Sequence, residues 1–143
     1  MTEIDKEIYD VINGINIIDD PSVRKISLPD DALIDRYEVA AGLSFPSDYR
    51  VFLKSVSNAF VGDLSPLTLN DEMGGVYGEL LSAITEGRSL GLPHDWIPIC
   101  EDNGDYYCLA PDASVRFWSH NGPSDETWPN LTSWMKEVWL AGK

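Results

Sequence analysis

The chain has 143 residues, with 24 Asp and Glu against 10 Lys and Arg, and carries a formal charge of −14 at pH 7. That balance excludes nucleic acid and anionic membrane surfaces as ligands, because both demand neutralisation of phosphate by Lys and Arg. A basic partner is its electrostatic complement, although an acidic surface also serves solubility. With 43% hydrophobic and 10% aromatic residues, residues 1–143 suit one domain whose core needs no staple.

The first segment, Met1 to Asp10, holds four acidic residues and lacks the basic-then-apolar pattern of a leader. No apolar run approaches the roughly 20 residues of a membrane span. Together with only two cysteines, this predicts a cytoplasmic, reducing setting.

Ile4, Ile8, Val11, Ile12 and Ile15 recur at helical spacing behind Thr2 as candidate N-cap, which predicts an N-terminal helix within residues 1–20 that ends near Gly14. Asp19 to Leu28 reads as a polar connector. Pro29-Asp30-Asp31 opens a second helix with Leu33, Ile34, Tyr37 and Ala40 on one face and Gly42 as its terminator. Phe45-Pro46-Ser47 restarts a helix: Ser47 is the expected N-cap, Asp48 complements the dipole, and Tyr49, Phe52, Leu53 and Val56 form the buried stripe. This helix pair does not read as a DNA-binding one, since its second helix offers only Arg50 and Lys54.

Leu64 to Leu69 is a candidate strand, followed by the polar loop Asn70 to Gly75, where Asp71 and Glu72 are candidate contacts. Helical spacing resumes over Val76 to Leu90 through Tyr77, Leu80, Leu81 and Ile84, until Gly91 and Pro93 stop it.

The run from Trp96 to Leu109 is the most informative in the chain. Asn103-Gly104 lies between two apolar arms, and these residues best tolerate the positive φ that a type I′ hairpin turn requires. A two-residue loop sets Asp102 opposite Asp105 and Cys100 opposite Tyr107, so Cys100 and Cys108 face opposite ways and form no disulfide. A longer loop with a bulge would instead oppose the two cysteines. Tyr106 and Tyr107 alternate, one ring to each face. A turn at Ala110-Pro111-Asp112, a strand over Ser114 to Trp118, and a helix with Leu131, Trp134, Met135, Val138 and Trp139 on one face complete the chain.

Chemistry-bearing motifs are scarce. Asp102 and Asp105 lack the apolar setting that would raise one carboxyl for acid–base work, and Asp beside Asn-Gly is ordinary turn composition. Glu101, Asp102, Asn103 and Asp105 do not match the alternate ligand positions or twelfth-position Glu of an EF-hand. Cys100, Cys108, His94 and His120 are too few and wrongly spaced for structural zinc. His120 sits at a strand end without an orienting partner nameable from sequence, and no nucleophile elbow or phosphate loop occurs. No metal or cofactor is called for. Of the five tryptophans, Trp134 and Trp139 belong to the core, whereas Trp96, Trp118 and Trp128 lie at element ends, where a ring serves core and contact surface together.

Three segments resemble the SUKH superfamily, which includes the fungal Smi/Knr cell-wall regulators, Syd-like proteins and many bacterial immunity proteins. Phe45-Pro46-Ser47-Asp48-Tyr49-Arg50-Val51-Phe52-Leu53 is similar to its LPxDYxxFL element. Gly91 to Ile99, continued by Gly104-Asp105-Tyr106-Tyr107-Cys108-Leu109, is similar to its hairpin, and Val115 to His120 before a Trp-bearing helix to its ending. The likeness spans residues 28–140. Ser57-Asn58-Ala59-Phe60 departs from the family's Asn-Gly-Gly, and Asp112-Ala113-Ser114 replaces its usual Gly. Long flanks like those of the fungal members are missing, which points to the bacterial branch.

The resemblance implies an α+β fold, a central mostly antiparallel sheet surrounded by helices, and a binding module without enzymatic activity. For the bacterial branch it implies neutralisation of a cognate polymorphic toxin, frequently a nuclease or deaminase, and such a toxin is basic, which suits the charge. The expected surface comprises Asp71, Glu72, Trp96, Glu101, Asp102, Asn103, Asp105, Tyr106, Tyr107, Trp118 and His120. Two other readings compete with it: a constitutive protein- or peptide-binding adaptor unrelated to toxins, and a small hydrolase built on His120.

Overall fold

A computed structural model describes residues 3–19, 26–122 and 124–141, with side chains from residue 6 onward. The helices are α1 (Glu3–Ile18), α2 (Asp31–Ala41), α3 (Ser47–Val56), α4 (Leu80–Ser89) and α5 (Leu131–Trp134), the last continued by a π-helical segment, Met135–Leu140. The strands are β1 (Ser65–Pro66), β2 (Ile97–Asp102), β3 (Asp105–Leu109), β4 (Val115–Trp118) and β5 (Thr127–Trp128). They form one antiparallel sheet in the order β1-β2-β3-β4-β5. This is the α+β architecture expected from the sequence.

The helices differ from the sequence reading where one residue decides a boundary. The first runs past Gly14, because Ile15 and Ile18 extend the apolar stripe another turn and Gly14 faces Leu140 of the C-terminal segment. The expected cap at Thr2, the side chain of Ile4 and most of the expected connector after Asp19 lie outside the described residues. In α2, Asp30 is the N-cap, accepting from the Leu33 N–H, and Gly42 closes the helix at φ 71°. Ala41 takes the buried position expected of Ala40. Pro46, not Ser47, precedes α3, and no side chain caps it.

The expected helix from Val76 begins only at Leu80. Gly78 has φ 85°, which breaks the helical path, and Glu79 then serves as N-cap. Its fully buried carboxylate accepts from the Tyr37 hydroxyl (2.6 Å), the Leu81 and Ser82 N–H groups (2.7 and 2.9 Å) and the Ser82 hydroxyl (2.9 Å). Tyr37 in turn accepts from the Asn70 N–H, so one network ties both ends of the 70–79 loop to α2.

Aromatic contacts join the helices to the sheet: Phe45 to Tyr49, Tyr49 to Phe52, Phe52 to Trp139, Trp139 to Trp134, and Trp134 to Tyr107. Five residues apart on a regular α-helix, Trp134 and Trp139 would diverge by about 140°. The wider π-helical turn brings them back to one side, with rings stacked 6.2 Å apart. The Trp139 indole N–H donates to the Val61 and Leu64 carbonyls.

Candidate functional site

The hairpin tip forms as its residues predict. Asn103 and Gly104 have φ 53° and 88°, the two positive values of a type I′ turn, and Asp102 lies opposite Asp105. The Gly104 N–H donates to Glu101 Oε1 at 2.9 Å, which holds that carboxylate over the turn. The Asn103 amide donates to Asp102 Oδ1. Cys100 opposes Tyr107, so the cysteines point to opposite faces; both are free and buried. A bulge does occur, but at Ile99, beside Pro98, which has no N–H for the ladder.

His120 acquires the orienting partner that its sequence neighbours did not reveal. Tyr106 pairs with Trp118, which brings Asp105 alongside Ser119 and His120. Asp105 Oδ1 accepts from the His120 N–H at 3.2 Å and pairs with its Nδ1 at 2.7 Å. That contact makes Nδ1 the protonated nitrogen of the neutral ring. Among the described residues no hydrogen bond joins this histidine to a Ser, Thr or Cys side chain. Burial pushes both cysteine thiols far up, which suppresses the thiolate. No group of three or more His, Cys, Asp and Glu suited to a metal occurs among the described residues.

One face of the hairpin carries Glu101, Tyr106 and Trp118, but Tyr106, expected as a contact residue, is buried at 3% exposure and belongs to the core. Tyr106 stacks on Trp118 with centroids 6.0 Å apart and donates to Glu86 of α4 at 3.2 Å. Burial, with the Glu86 charge second, raises its phenol. Trp118 and Trp96 share the wall of a groove of about 300 Å³ that includes Gly91 and Pro93. Tyr107 lies on the opposite face, in contact with Phe117, Trp128 and Trp134, and burial pushes its phenol up to about 12. Its ring therefore faces away from the Tyr106–Trp118 pair.

Asp71 and Glu72 are exposed beside the start of α2, where they line a separate groove with Asp30 and Leu33, and Arg36 donates to the Asp71 carbonyl. Among the described residues no hydrogen bond or ion pair joins them to the hairpin. The far end of their loop does reach it: hydrogen bonding to Glu101 raises the Tyr77 phenol to about 12. Sequence periodicity places Tyr77 in the helix from Val76, whereas it precedes α4 and is 81% exposed.

Several of the described cations are engaged away from the hairpin. Arg50 pairs with Asp31, Asp35 and Glu38, Lys54 with Asp31, and Arg116 with Asp112. Arg88 donates to the Ala41 and His94 carbonyls. Among the described residues Glu86, Glu101 and Asp102 have no Lys or Arg partner, and His120 is the only cationic candidate bonded to the tip. The result is an acidic, aromatic surface with little internal neutralisation.

No helix among the described residues is long and apolar enough to cross a membrane. The family profile described as SMI1-KNR4 cell-wall, SUKH_5, matches residues 8–140, which takes in most of α1 as well as the sheet and the C-terminal helix. The chain belongs to the SUKH family of SMI1-KNR4-like domains. It is similar to the crystal structure of a protein from Pseudomonas syringae pv. tomato, with 30% sequence identity and a TM-score of 0.84 over 93% of this chain and 98% of that one. No curated protein matches the sequence.

Proposed function

We propose that this chain is a non-enzymatic binding protein that neutralises a basic toxin domain, as an immunity protein does. The observation that carries the reading is the hairpin surface: Glu86 and Glu101 stand without basic partners beside the half-buried Trp118, over the buried Tyr106, and Asp102 follows at the turn, also without one. Unneutralised carboxylates of one sign accelerate the approach of a cationic surface, and the half-buried rings of Trp118 and Trp96 supply apolar contact area that holds it. Glu101, Asp102, Asn103, Asp105, Trp118 and His120 form this surface over the buried Tyr106, with Trp96 at its groove, whereas Asp71 and Glu72 line a separate groove beside α2. Family membership supports the reading, since the family includes immunity proteins.

The test is affinity purification from the native cell with mass spectrometry of the bound protein, then co-expression of the two. Recovery of a basic domain whose expression stops growth, with growth restored by this chain, is the expected result. Recovery of a housekeeping protein without toxicity would replace the toxin reading with the adaptor.

A further inference from the structure

Beside the acidic tip lies an apolar groove of about 220 Å³, walled by Ile26, Phe60, Ser65, Pro66, Val76 and Tyr77. Ile26, Val76 and Tyr77 are 48%, 54% and 81% exposed, so three large apolar or aromatic side chains left in water converge on one place. The groove is continuous with the hairpin in two ways. Ser65 on its wall is the residue opposite Glu101 in the sheet, and Tyr77 on its rim interacts with the same Glu101 carboxylate. Asp102 follows directly at the turn, and neither carboxylate has a Lys or Arg partner among the described residues.

We infer that this groove is the docking site for an amphipathic basic segment of the partner protein, with its apolar side chains between Val76, Tyr77 and Pro66 and its Lys or Arg against Glu101 and Asp102. Charge selects this occupant. A second copy of the chain would set acid against acid at the rim, at a formal charge of −14 on each molecule. The inference rests on the proposed basic partner and adds where its segment seats.

The probe is a short synthetic peptide alternating Leu with Lys, titrated into the isotopically labelled full chain while backbone amide resonances are followed by NMR. A Leu-Glu copy is the control. Shifts centred on Ser65, Val76, Tyr77 and Glu101 with the Leu-Lys peptide alone are the expected result. Val76→Asp should weaken the peptide roughly tenfold, and Val39→Asp on α2, a still more exposed apolar site outside the groove, should not. Shifts centred elsewhere, equal binding of the Leu-Glu copy, or full affinity in Val76→Asp would overturn the inference. With the recovered partner, loss of protection in a folded Val76→Asp variant supports the groove; protection at full affinity refutes the groove and leaves the toxin reading standing. Peptide seated in the groove with no toxin recovered supports the groove and removes the toxin alone.

Discussion

Replacing Glu79 by Ala should be the most damaging single change outside the aromatic core. The side chain is fully buried and accepts four hydrogen bonds, two from the first N–H groups of α4. Losing an N-cap costs about 0.5–2 kcal/mol. The Tyr37 hydroxyl, bound at 2.6 Å in a buried setting, loses its charged acceptor, which adds about 1–3 kcal/mol. The sum, about 1.5–5 kcal/mol, is a large fraction of the stability of an ordinary domain. Urea unfolding followed by tryptophan fluorescence reads it as a lower midpoint at constant slope, and a thermal melt should fall by roughly 5–15 °C. Tyr37→Phe should cost less, and the double variant less than the sum of the two, because the groups satisfy each other. A loss below about 0.5 kcal/mol for Glu79→Ala would refute the network.

Three further outcomes follow from local geometry. Ala113 holds φ 73° in the turn before β4, a left-handed conformation that costs a residue with a Cβ, so Ala113→Gly should raise stability by about 0.5–1 kcal/mol in the same unfolding assay. Among the described residues the buried Tyr49 hydroxyl has no hydrogen-bond partner, so Tyr49→Phe should leave the unfolding midpoint unchanged or raise it, despite its place in the family-like segment. Cys100 and Cys108 are buried with thiols pushed far up; alkylation at pH 8 should proceed only after denaturant exposes them, and an oxidant should not join them within one chain.

What could be read from the residues was what depends on near neighbours. Asn103-Gly104 specifies its turn, and the turn specifies the register that separates the cysteines. Asp30 and Gly42 bound α2 by capping chemistry alone. Glu79 was missed because a carboxylate among apolar residues resembles a solvent-facing helical position, and its partner Tyr37 is 42 residues away. Val76 and Tyr77 fit a helical period that Gly78 interrupts, so the exposed groove they line was read as helix. The Asp105–His120 contact was within reach: extending the register from Asn103-Gly104 through β4 places them side by side. The π-helical turn was not, because it arises from the indole of Trp139 reaching the Val61 and Leu64 carbonyls across the fold.

The central claim is that the hairpin tip meets a basic partner, and the most direct test is the association rate of the recovered partner with a tip variant. Asp102→Lys with Glu101→Gln reverses one charge and removes another, while the glutamine still accepts from the Gly104 N–H. Stopped-flow association should slow roughly tenfold or more at low salt, and its dependence on ionic strength should flatten. An unchanged rate with an unchanged salt slope, in a variant with native unfolding behaviour, would remove the hairpin tip from the interface.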